Sequence, residues 1–254
     1  MNSLIPNSVE ARRSCNRLLM ILRDEDWRRL APHLEYCEFA RDEVLFNEGE
    51  DVTRCCFPCD GLIASLRISD SDGAMCEVCT IGQEGAAGGI ISNGHAPAFT
   101  SAVIAAEGSA LCIPVARLDA VKEESPRIQS LFARYADCLL AQIMQSSACN
   151  ALHGVEQRIA RWLLAFDDRI GGGRINVTQE TLAAAIGVGR PYASRQLKSL
   201  ECKGLIRLRR GAIEIRDRRA VENYACTCYG AVRGHFATVI SGLYPPAPSE
   251  AMIA

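Results

Sequence analysis

Basic and polar side chains recur at helical spacing in the segment 189–203. Arg190, Ser194, Arg195 and Lys198 fall on one face of a predicted helix. The opposite face is apolar and carries Ala193, Leu197 and Leu200. An α-helix fits the major groove of DNA, where an arginine can donate two hydrogen bonds to a guanine. The spacing therefore predicts a helix that reads base pairs.

The residues before and after this helix fit the same interpretation. Thr178 is a favourable N-cap for a preceding helix, and Gly187 can end it because glycine adopts a left-handed conformation without steric cost. The following run, LIRLRRGAIEI, alternates like a hairpin, with Arg209 and Arg210 at its turn. Two short helices joined by a tight turn and followed by a hairpin predict a winged helix-turn-helix.

Charge separates this region from the rest of the chain. The 254 residues carry a net charge of −2, yet segment 155–220 holds 14 basic and 7 acidic residues, a balance of +7. The remainder carries −9. A basic module joined to an acidic one indicates a nucleic-acid binder attached to a domain with another task. We expect a cytoplasmic protein, since the sequence contains neither a membrane-length apolar run nor a signal-peptide pattern.

The N-terminal half predicts a β-rich domain. After a helical stretch within 16–34, short runs of alternating polarity are separated by glycine and acidic turns up to residue 114. Such runs predict an antiparallel sandwich or barrel. We assign residues 1–15 to a flexible tail and 16–125 to this domain.

A long unbroken helical pattern follows at 126–150. Its apolar and small polar positions recur at roughly heptad spacing and predict a dimer interface formed by Ile128, Leu131, Tyr135, Cys138, Leu139 and Gln142. The alternative is a single helix buried against the barrel. The winged helix-turn-helix domain is assigned to residues 151–225, and a C-terminal helix and tail to 226–254.

The chain resembles the Crp/Fnr family of bacterial transcription regulators over roughly residues 16–225. The most specific segments are VEQRIARWLL and VTQETLAAAIGVGRPYASRQLKSLECKGLI; EVLFNEGE, FPCDGLIASL and IGQEG are less specific. The resemblance implies an α+β fold, in which an antiparallel β-roll similar to cyclic-nucleotide-binding domains is followed by a dimerisation helix and the winged helix-turn-helix. It also implies a homodimer that binds double-stranded DNA and contacts RNA polymerase.

The resemblance assigns DNA-binding roles to individual positions. Arg190 and Arg195 match base-contacting positions, with Lys198 one turn further along, and Thr178 and Gln179 match positions near phosphate. Where the family commonly has a glutamate, this chain has Pro191, which cannot accept a hydrogen bond from cytosine. We therefore expect the DNA half-site of this protein to differ in sequence from the one that the family commonly binds. Tyr192 either contacts phosphate or packs against the first helix.

The signal that the β-roll would sense stays open. A cyclic nucleotide needs a ribose-binding glutamate and a phosphate-binding arginine in this family. Glu84 and Gly85 lie in the glycine turn GQEGAAGG, but Phe99 stands where the arginine is expected, before Thr100 and Ser101. Without that cation a buried phosphate has no ion-pair partner, which disfavours cyclic nucleotides. We favour a domain without a ligand.

Cysteine chemistry is the main alternative, because the chain has 13 cysteines. Cys55, Cys56, Cys59, Cys76 and Cys79 have ligand-like spacing for an iron–sulfur cluster or zinc, but alternate strand residues point to opposite faces. Cys202, near the DNA-reading face, is the candidate for a redox switch. Cys226 and Cys228 are two apart on a predicted helix and so are poor co-ligands. We expect no metal, and the cofactor stays open.

The histidines favour neither haem nor catalysis. His33, His95, His153 and His235 are interpreted as surface or turn residues. An enzyme built on a cupin-like barrel would need closely spaced metal-binding histidines, and the sequence has no such group. We therefore expect a protein that is not an enzyme.

Overall fold

The computed structural model describes residues 9–244, apart from 70, 73, 74, 91, 93 and 95. These residues form an N-terminal domain of short helices and antiparallel strands, then a long helix, then a domain with a two-helix motif and a hairpin. The α+β architecture expected from the sequence is confirmed. Among the described helices, none combines the length and hydropathy that a membrane crossing requires.

The described chain begins with two short helices that pack on the strands. A 3-10 helix, Glu10–Cys15, is followed by α1 (Arg17–Met20) and α2 (Asp24–Leu30), and a second 3-10 turn spans Ala31–His33. Segment 10–15 thus has regular structure where the sequence predicted a flexible tail, and 1–8 lie outside the described residues. Contacts distant in sequence hold this segment: Cys15 forms a disulfide with Cys59, and Arg12 pairs with Asp60 at 2.7 Å.

Asn16 starts α1 and also fastens it to the strands. Its side-chain oxygen accepts hydrogen bonds from the backbone N–H groups of Leu18 and Leu19. Its amide nitrogen donates to the backbone carbonyls of Pro58 and Gly85, at 3.1 and 2.9 Å. One fully buried polar side chain therefore satisfies both the helix end and two strand-side carbonyls.

The N-terminal strands form two antiparallel sheets in the described part of the chain. They are β1 (Glu35–Phe39), β2 (Val44–Phe46), β3 (Arg54–Cys59), β4 (Ile63–Ser69), β5 (Met75–Ile81), β6 (Ser101–Ala106) and β7 (Gly108–Pro114). One sheet has the order β1-β7-β3 and the other β2-β6-β4-β5. β5 is an edge strand of the second sheet, so its outer edge is available for contacts with other elements.

Two helices follow the last strand of this domain. α3 (Val115–Glu124) leads directly into α4 (Pro126–Leu152). The Ser125 side chain caps α4, and Pro126 occupies its first turn, where a missing N–H is tolerated. The single helix of 27 residues confirms the long helix predicted over 126–150.

A buried carboxylate joins the start of α4 to the C-terminal segment. Asp26 on α2 accepts hydrogen bonds from Ser125 at 2.8 Å, Arg127 at 3.0 Å and the Tyr244 hydroxyl at 2.7 Å. Burial opposes the ionised form of Asp26, but these hydrogen bonds outweigh it and lower its pKa. The charged form of Asp26 is therefore the form that stabilises the fold.

The C-terminal domain contains the predicted two-helix motif and hairpin. Its elements are α5 (Val155–Ile170), β8 (Arg174–Ile175), α6 (Gln179–Ile186), α7 (Arg190–Cys202), β9 (Ile206–Arg209), β10 (Ala212–Ile215), α8 (Arg218–Tyr224) and α9 (Cys228–Ser241). The strands form a sheet of order β8-β10-β9. α9 returns to pack along α4, where the rings of Phe236 and Tyr135 meet edge to face. The predicted tail beyond 244 lies outside the described residues.

Candidate nucleic-acid interface

Three local features set the start of α6 and the turn between α6 and α7. The Thr178 hydroxyl accepts a hydrogen bond from the Thr181 N–H at 3.0 Å and caps α6. Gly187 ends α6 with φ +71°, a conformation that a residue with Cβ adopts only with strain. Gly189 is the N-cap of α7, and Pro191 sits in the first helical turn, which it does not interrupt.

Apolar side chains fix the angle between the two helices. The buried residues of α6 and α7 are Leu182, Ala183, Ile186, Ala193, Leu197 and Leu200. Across the helices, the Ser194 hydroxyl donates to the Gln179 side chain at 2.6 Å. Because one face of α7 is fully used in this packing, its other face is held in a fixed orientation toward solvent.

The outward face of α7 carries the predicted DNA-reading side chains. Arg190, Pro191, Arg195 and Lys198 are exposed, and Tyr192 is 41% exposed. The Arg195 guanidinium lies over the Tyr192 ring, 5.6 Å from its centre. Tyr192 thus contacts its own helix, besides being placed where phosphate could reach it.

Neighbouring carboxylates partly balance these cations. Lys198 pairs with Glu201 at 2.7 Å, an interaction that raises the pKa of Lys198, and Arg190 lies 3.9 Å from Glu180. Exposed pairs of this kind contribute little stability and exchange readily for other anions. The cations therefore stay available for phosphate or base edges.

The hairpin β9–β10 extends the same basic surface. Arg209 and Arg210 are exposed at its turn, and Gly211 has φ +69°. Arg209 lies 3.4 Å from Glu214 on the paired strand. The hairpin presents two guanidinium groups at one end, as a wing beside a recognition helix requires.

The first helix of the domain, α5, docks on the edge strand β5. The Trp162 indole donates to Glu77 at 2.8 Å, and Glu77 also accepts from Ser65 at 2.7 Å. Burial raises the pKa of Glu77, and the two hydrogen bonds only partly oppose this. The Gln83 side chain donates to the Asp168 carbonyl at 3.4 Å. These contacts hold the two domains together through α5.

A buried ion pair forms the centre of this docking surface. Arg169 on α5 donates to Glu84 at 2.8 Å and to the Thr80 carbonyl at 3.0 Å. Burial disfavours the charge of Arg169, but Glu84 more than compensates, so the pKa of Arg169 is raised. Both side chains line a cavity of about 620 Å³ between the β-roll, α4, α5 and α9. Sequence reasoning missed this surface, because its contacts join residues about 85 positions apart.

The candidate effector residues are not gathered at one site. Glu84 is engaged by Arg169, and a side chain at Gly85 would collide with the Tyr135 hydroxyl. Phe99 is 80% exposed, whereas the neighbouring Thr100 and Ser101 are half-buried. The Ser101 hydroxyl accepts a hydrogen bond from the Glu48 N–H at 3.1 Å. Glu84 therefore has a structural role between domains in this arrangement.

Much of the predicted dimer face of α4 is core. The side chains of Ile128, Leu131, Tyr135 and Cys138 are no more than 1% exposed and pack inside the same chain. Leu139 is half-buried and contacts the same core, and Gln142 donates to the Thr80 carbonyl at 3.1 Å. The prediction that the first four form a dimer interface is wrong, because the β-roll and α9 cover them.

A different face of α4 is uncovered. Its large exposed apolar side chains are Leu140, Ile143, Met144 and Leu152. The spacing of the first three places them along one stripe of the helix. The heptad-like pattern was a sound indication of an apolar helix, but it could not show which side the protein itself would bury.

The predicted cysteine sites separate in space. Cys59 is in the disulfide, Cys56 contacts Cys112, Cys55 and Cys79 are buried and Cys76 is exposed. Cys202 is exposed at the end of α7. Among the described residues, the group with metal-ligand geometry is a different one: Cys149, His153, Cys226 and Cys228. His95 lies outside the described residues.

Comparison with known proteins supports the same architecture. Residues 157–224 match the model of the Crp-like helix-turn-helix domain. FixK2 from Bradyrhizobium japonicum is similar in structure, with a TM-score of 0.65, 15% identity and coverage of 76% of this chain and 98% of its own. No curated protein sequence matches significantly.

Two further solved structures show the same fold. The c-di-GMP-responsive global regulator CLP of Xanthomonas campestris has a TM-score of 0.62 and 18% identity, covering 77% of this chain and 100% of its own. A CRP-family transcriptional regulator of Thermus thermophilus has a TM-score of 0.63 and 21% identity, covering 74% of this chain and 96% of its own. The fold expected from the motifs is thus confirmed.

Proposed function

We propose that this chain is a Crp/Fnr-like transcriptional regulator that reads a two-fold DNA site as a homodimer through α7. The match of residues 157–224 to the Crp-like helix-turn-helix model and the shared fold support this proposal. The observation that carries the proposal is the division of α7. One face is buried in the domain core, and the other presents Arg190, Arg195 and Lys198 to solvent. The dimension and charge of that face fit a major groove.

In this proposal, different residues contact the bases and the phosphates. Arg190 and Arg195 contact base edges, and the polar Ser194 lies between them on α7. Lys198, Thr178 and Gln179 contact phosphates on either side, and the wing residues Arg209 and Arg210 contact the neighbouring backbone, which adds affinity without sequence preference. Two further α7 positions set the departure from the family's half-site: Pro191 removes a hydrogen-bond acceptor, and Tyr192 adds a ring and a hydroxyl.

The second copy docks on the uncovered stripe of α4. Leu140, Ile143 and Met144 are exposed in one chain, and a two-fold axis along α4 would bring the same stripe of a second chain against them. The stripe takes the place of Ile128, Leu131, Tyr135 and Cys138, which the sequence predicted for the dimer interface but which are buried within one chain. The dimer would place two α7 helices on one side of the assembly, as a two-fold site requires.

We further propose that the DNA-bound dimer acts in the cytoplasm and contacts RNA polymerase. The proposal assigns no catalytic residue, and it needs no ligand in the β-roll. Glu84 is paired with Arg169 and Phe99 is exposed, so neither is placed to hold a ribose or a phosphate. Calorimetry with cyclic AMP and cyclic GMP should show no binding at micromolar concentration. Tight binding would reassign these residues.

The decisive test is site selection from random duplexes, followed by fluorescence anisotropy with the selected site. Arg195→Ala should weaken specific binding by about 10- to 100-fold, because a bidentate base contact contributes about 1–3 kcal/mol. Binding to unrelated duplexes should change much less. Arg28→Ala removes an equal charge from an exposed position on α2 and should leave the preference intact. If Arg195→Ala selects the parent's site with the parent's affinity, α7 is not the reading helix.

A further inference from the structure

Three buried cysteines and one histidine converge where α4, the hinge and α9 meet. The sulfur atoms of Cys149, Cys226 and Cys228 and a ring nitrogen of His153 all lie within 4.8 Å of one another. The Sγ atoms of Cys149 and Cys226 are 3.4 Å apart, and Cys228 Sγ is 3.5 Å from His153 Nδ1. The three cysteines are at most 5% exposed, whereas His153 is half-buried.

Local structure explains how four ligands reach one point. Cys149 lies in the last turn of α4, and His153 is the C-cap of that helix, whose backbone N–H donates to the Cys149 carbonyl at 3.1 Å. Cys226 lies in the turn between α8 and α9, and Cys228 is the first residue of α9. The sequence predicted that Cys226 and Cys228 lie on one helix and therefore face different directions. They are not on one helix, because α9 begins only at Cys228.

We propose that Cys149, His153, Cys226 and Cys228 form a zinc-binding site. Zinc prefers four thiolate and imidazole ligands in a tetrahedron with Zn–S distances of about 2.3 Å, which places ligand sulfurs about 3.8 Å apart. The Cys149–Cys226 sulfur separation is 3.4 Å, the Cys228 sulfur lies 3.5 Å from the His153 nitrogen, and no two ligand atoms are more than 4.8 Å apart, so metal binding would require shifts of about 1 Å or less. Soft thiolates disfavour magnesium and calcium, which select oxygen ligands.

The protons and charges of this site balance. Binding of one Zn²⁺ by three thiols and a neutral imidazole releases three protons and leaves the site with a charge of −1. The Gln145 side chain donates to Cys228 Sγ at 3.0 Å. Donors of this kind orient thiolate ligands and stabilise their charge.

The position of the site gives the metal a structural consequence. Cys149 and His153 lie just before the hinge at Gly154, and Cys226 and Cys228 lie where the chain leaves the DNA-binding domain. One metal would therefore fasten both ends of that domain to α4. The half-buried His153 provides a route for the ion from solvent.

The test is metal content of the full-length protein, purified under a non-thiol reductant and without chelators from zinc-supplemented cells. Plasma mass spectrometry should find about one zinc per chain. The variants Cys149→Ser and Cys226→Ser should each lower that content at least tenfold. The matched controls Cys202→Ser and His235→Ala change exposed residues of the same types and should retain it.

A second measurement covers variants that fold poorly. Wild-type protein stripped with a chelator, with its helical circular dichroism checked, is titrated with Co²⁺. One equivalent should produce intense visible bands of tetrahedral cobalt together with thiolate charge-transfer absorption. The proposal is overturned by sub-stoichiometric zinc without cobalt bands, or by zinc retained in a Cys149→Ser/Cys226→Ser variant. Iron with inorganic sulfide, or a Cys149–Cys226 disulfide in the reduced preparation, would also overturn it.

Discussion

Replacement of Arg169 by methionine should weaken the docking of α5 on the β-roll. The Arg169 and Glu84 side chains are 10% and 17% exposed, so they form a largely buried ion pair. Removal of one partner from a fully buried pair costs about 3–5 kcal/mol. Here the cost should be lower, because both residues line a cavity that water can enter.

The two groups that lose the Arg169 guanidinium in this variant each retain another hydrogen bond. Glu84 keeps a hydrogen bond from the Gly82 N–H at 3.2 Å, and the Thr80 carbonyl keeps the one from Gln142 at 3.1 Å. We therefore expect Arg169→Met to lower the free energy of unfolding by about 2 kcal/mol. For a chain of this size that corresponds to a fall of about 4–8 °C in the melting temperature.

Calorimetry or thermal circular dichroism of four proteins measures the pair directly. These are the wild type, Arg169→Met, Glu84→Gln and the double variant, and the cycle should give a coupling energy of about 1–2 kcal/mol. Arg117→Met removes an exposed arginine on α3 and should change stability by less than about 0.5 kcal/mol. A loss below that threshold for Arg169→Met, with no coupling to Glu84, would refute the docking of α5 through this pair.

Two further predictions concern acid stability and assembly. The pKa of Asp26 is lowered on folding, so its contribution is present above about pH 4 and is lost as pH falls through the folded pKa. Asp26→Asn should therefore destabilise the protein at pH 6 and progressively less below pH 4, as followed by denaturant titration; a constant difference would contradict the assignment. On the free stripe of α4, Met144→Glu should shift the sedimentation coefficient from that of two chains toward one, whereas Gln129→Glu, an exposed position on the same helix, should not. An unchanged dimer would place the interface elsewhere.

The DNA-binding domain was predictable because its signals are local. Thr178, Gly187 and Pro191 each act within one turn of the helix that they begin or end, and the apolar stripe of α7 follows from residue spacing alone. Solved structures of low sequence identity share the fold.

The exposed stripe of α4 and the cluster of Cys149, His153, Cys226 and Cys228 were not predictable for a related reason. α4 is apolar on more than one side, and only the tertiary structure shows that Tyr135 faces inward while Met144 faces solvent. Cys149 and Cys226 are 77 residues apart, and their meeting depends on α9 turning back along α4. The Cys15–Cys59 disulfide likewise joins the 3-10 helix Glu10–Cys15, a segment that sequence alone indicated to be a tail, to a strand 44 residues away.

The docking of α5 should affect how tightly the proposed dimer binds DNA without affecting which sequence it selects. Two recognition helices must be about 34–36 Å apart to enter successive turns of the major groove. In the proposed dimer this spacing would depend on how α5 sits on β5, through Trp162 and Arg169, whereas base contacts would depend on α7 alone. Arg169→Met should therefore change affinity for a two-fold site while its selected half-site stays that of the wild type.

Shortening or lengthening the spacer between the two half-sites by one base pair should alter the affinity of the variant less than that of the wild type, since a loosened hinge tolerates more spacings. If the selected half-site itself changed, α5 docking would be shaping α7 directly, and the separation of spacing from base reading would be wrong.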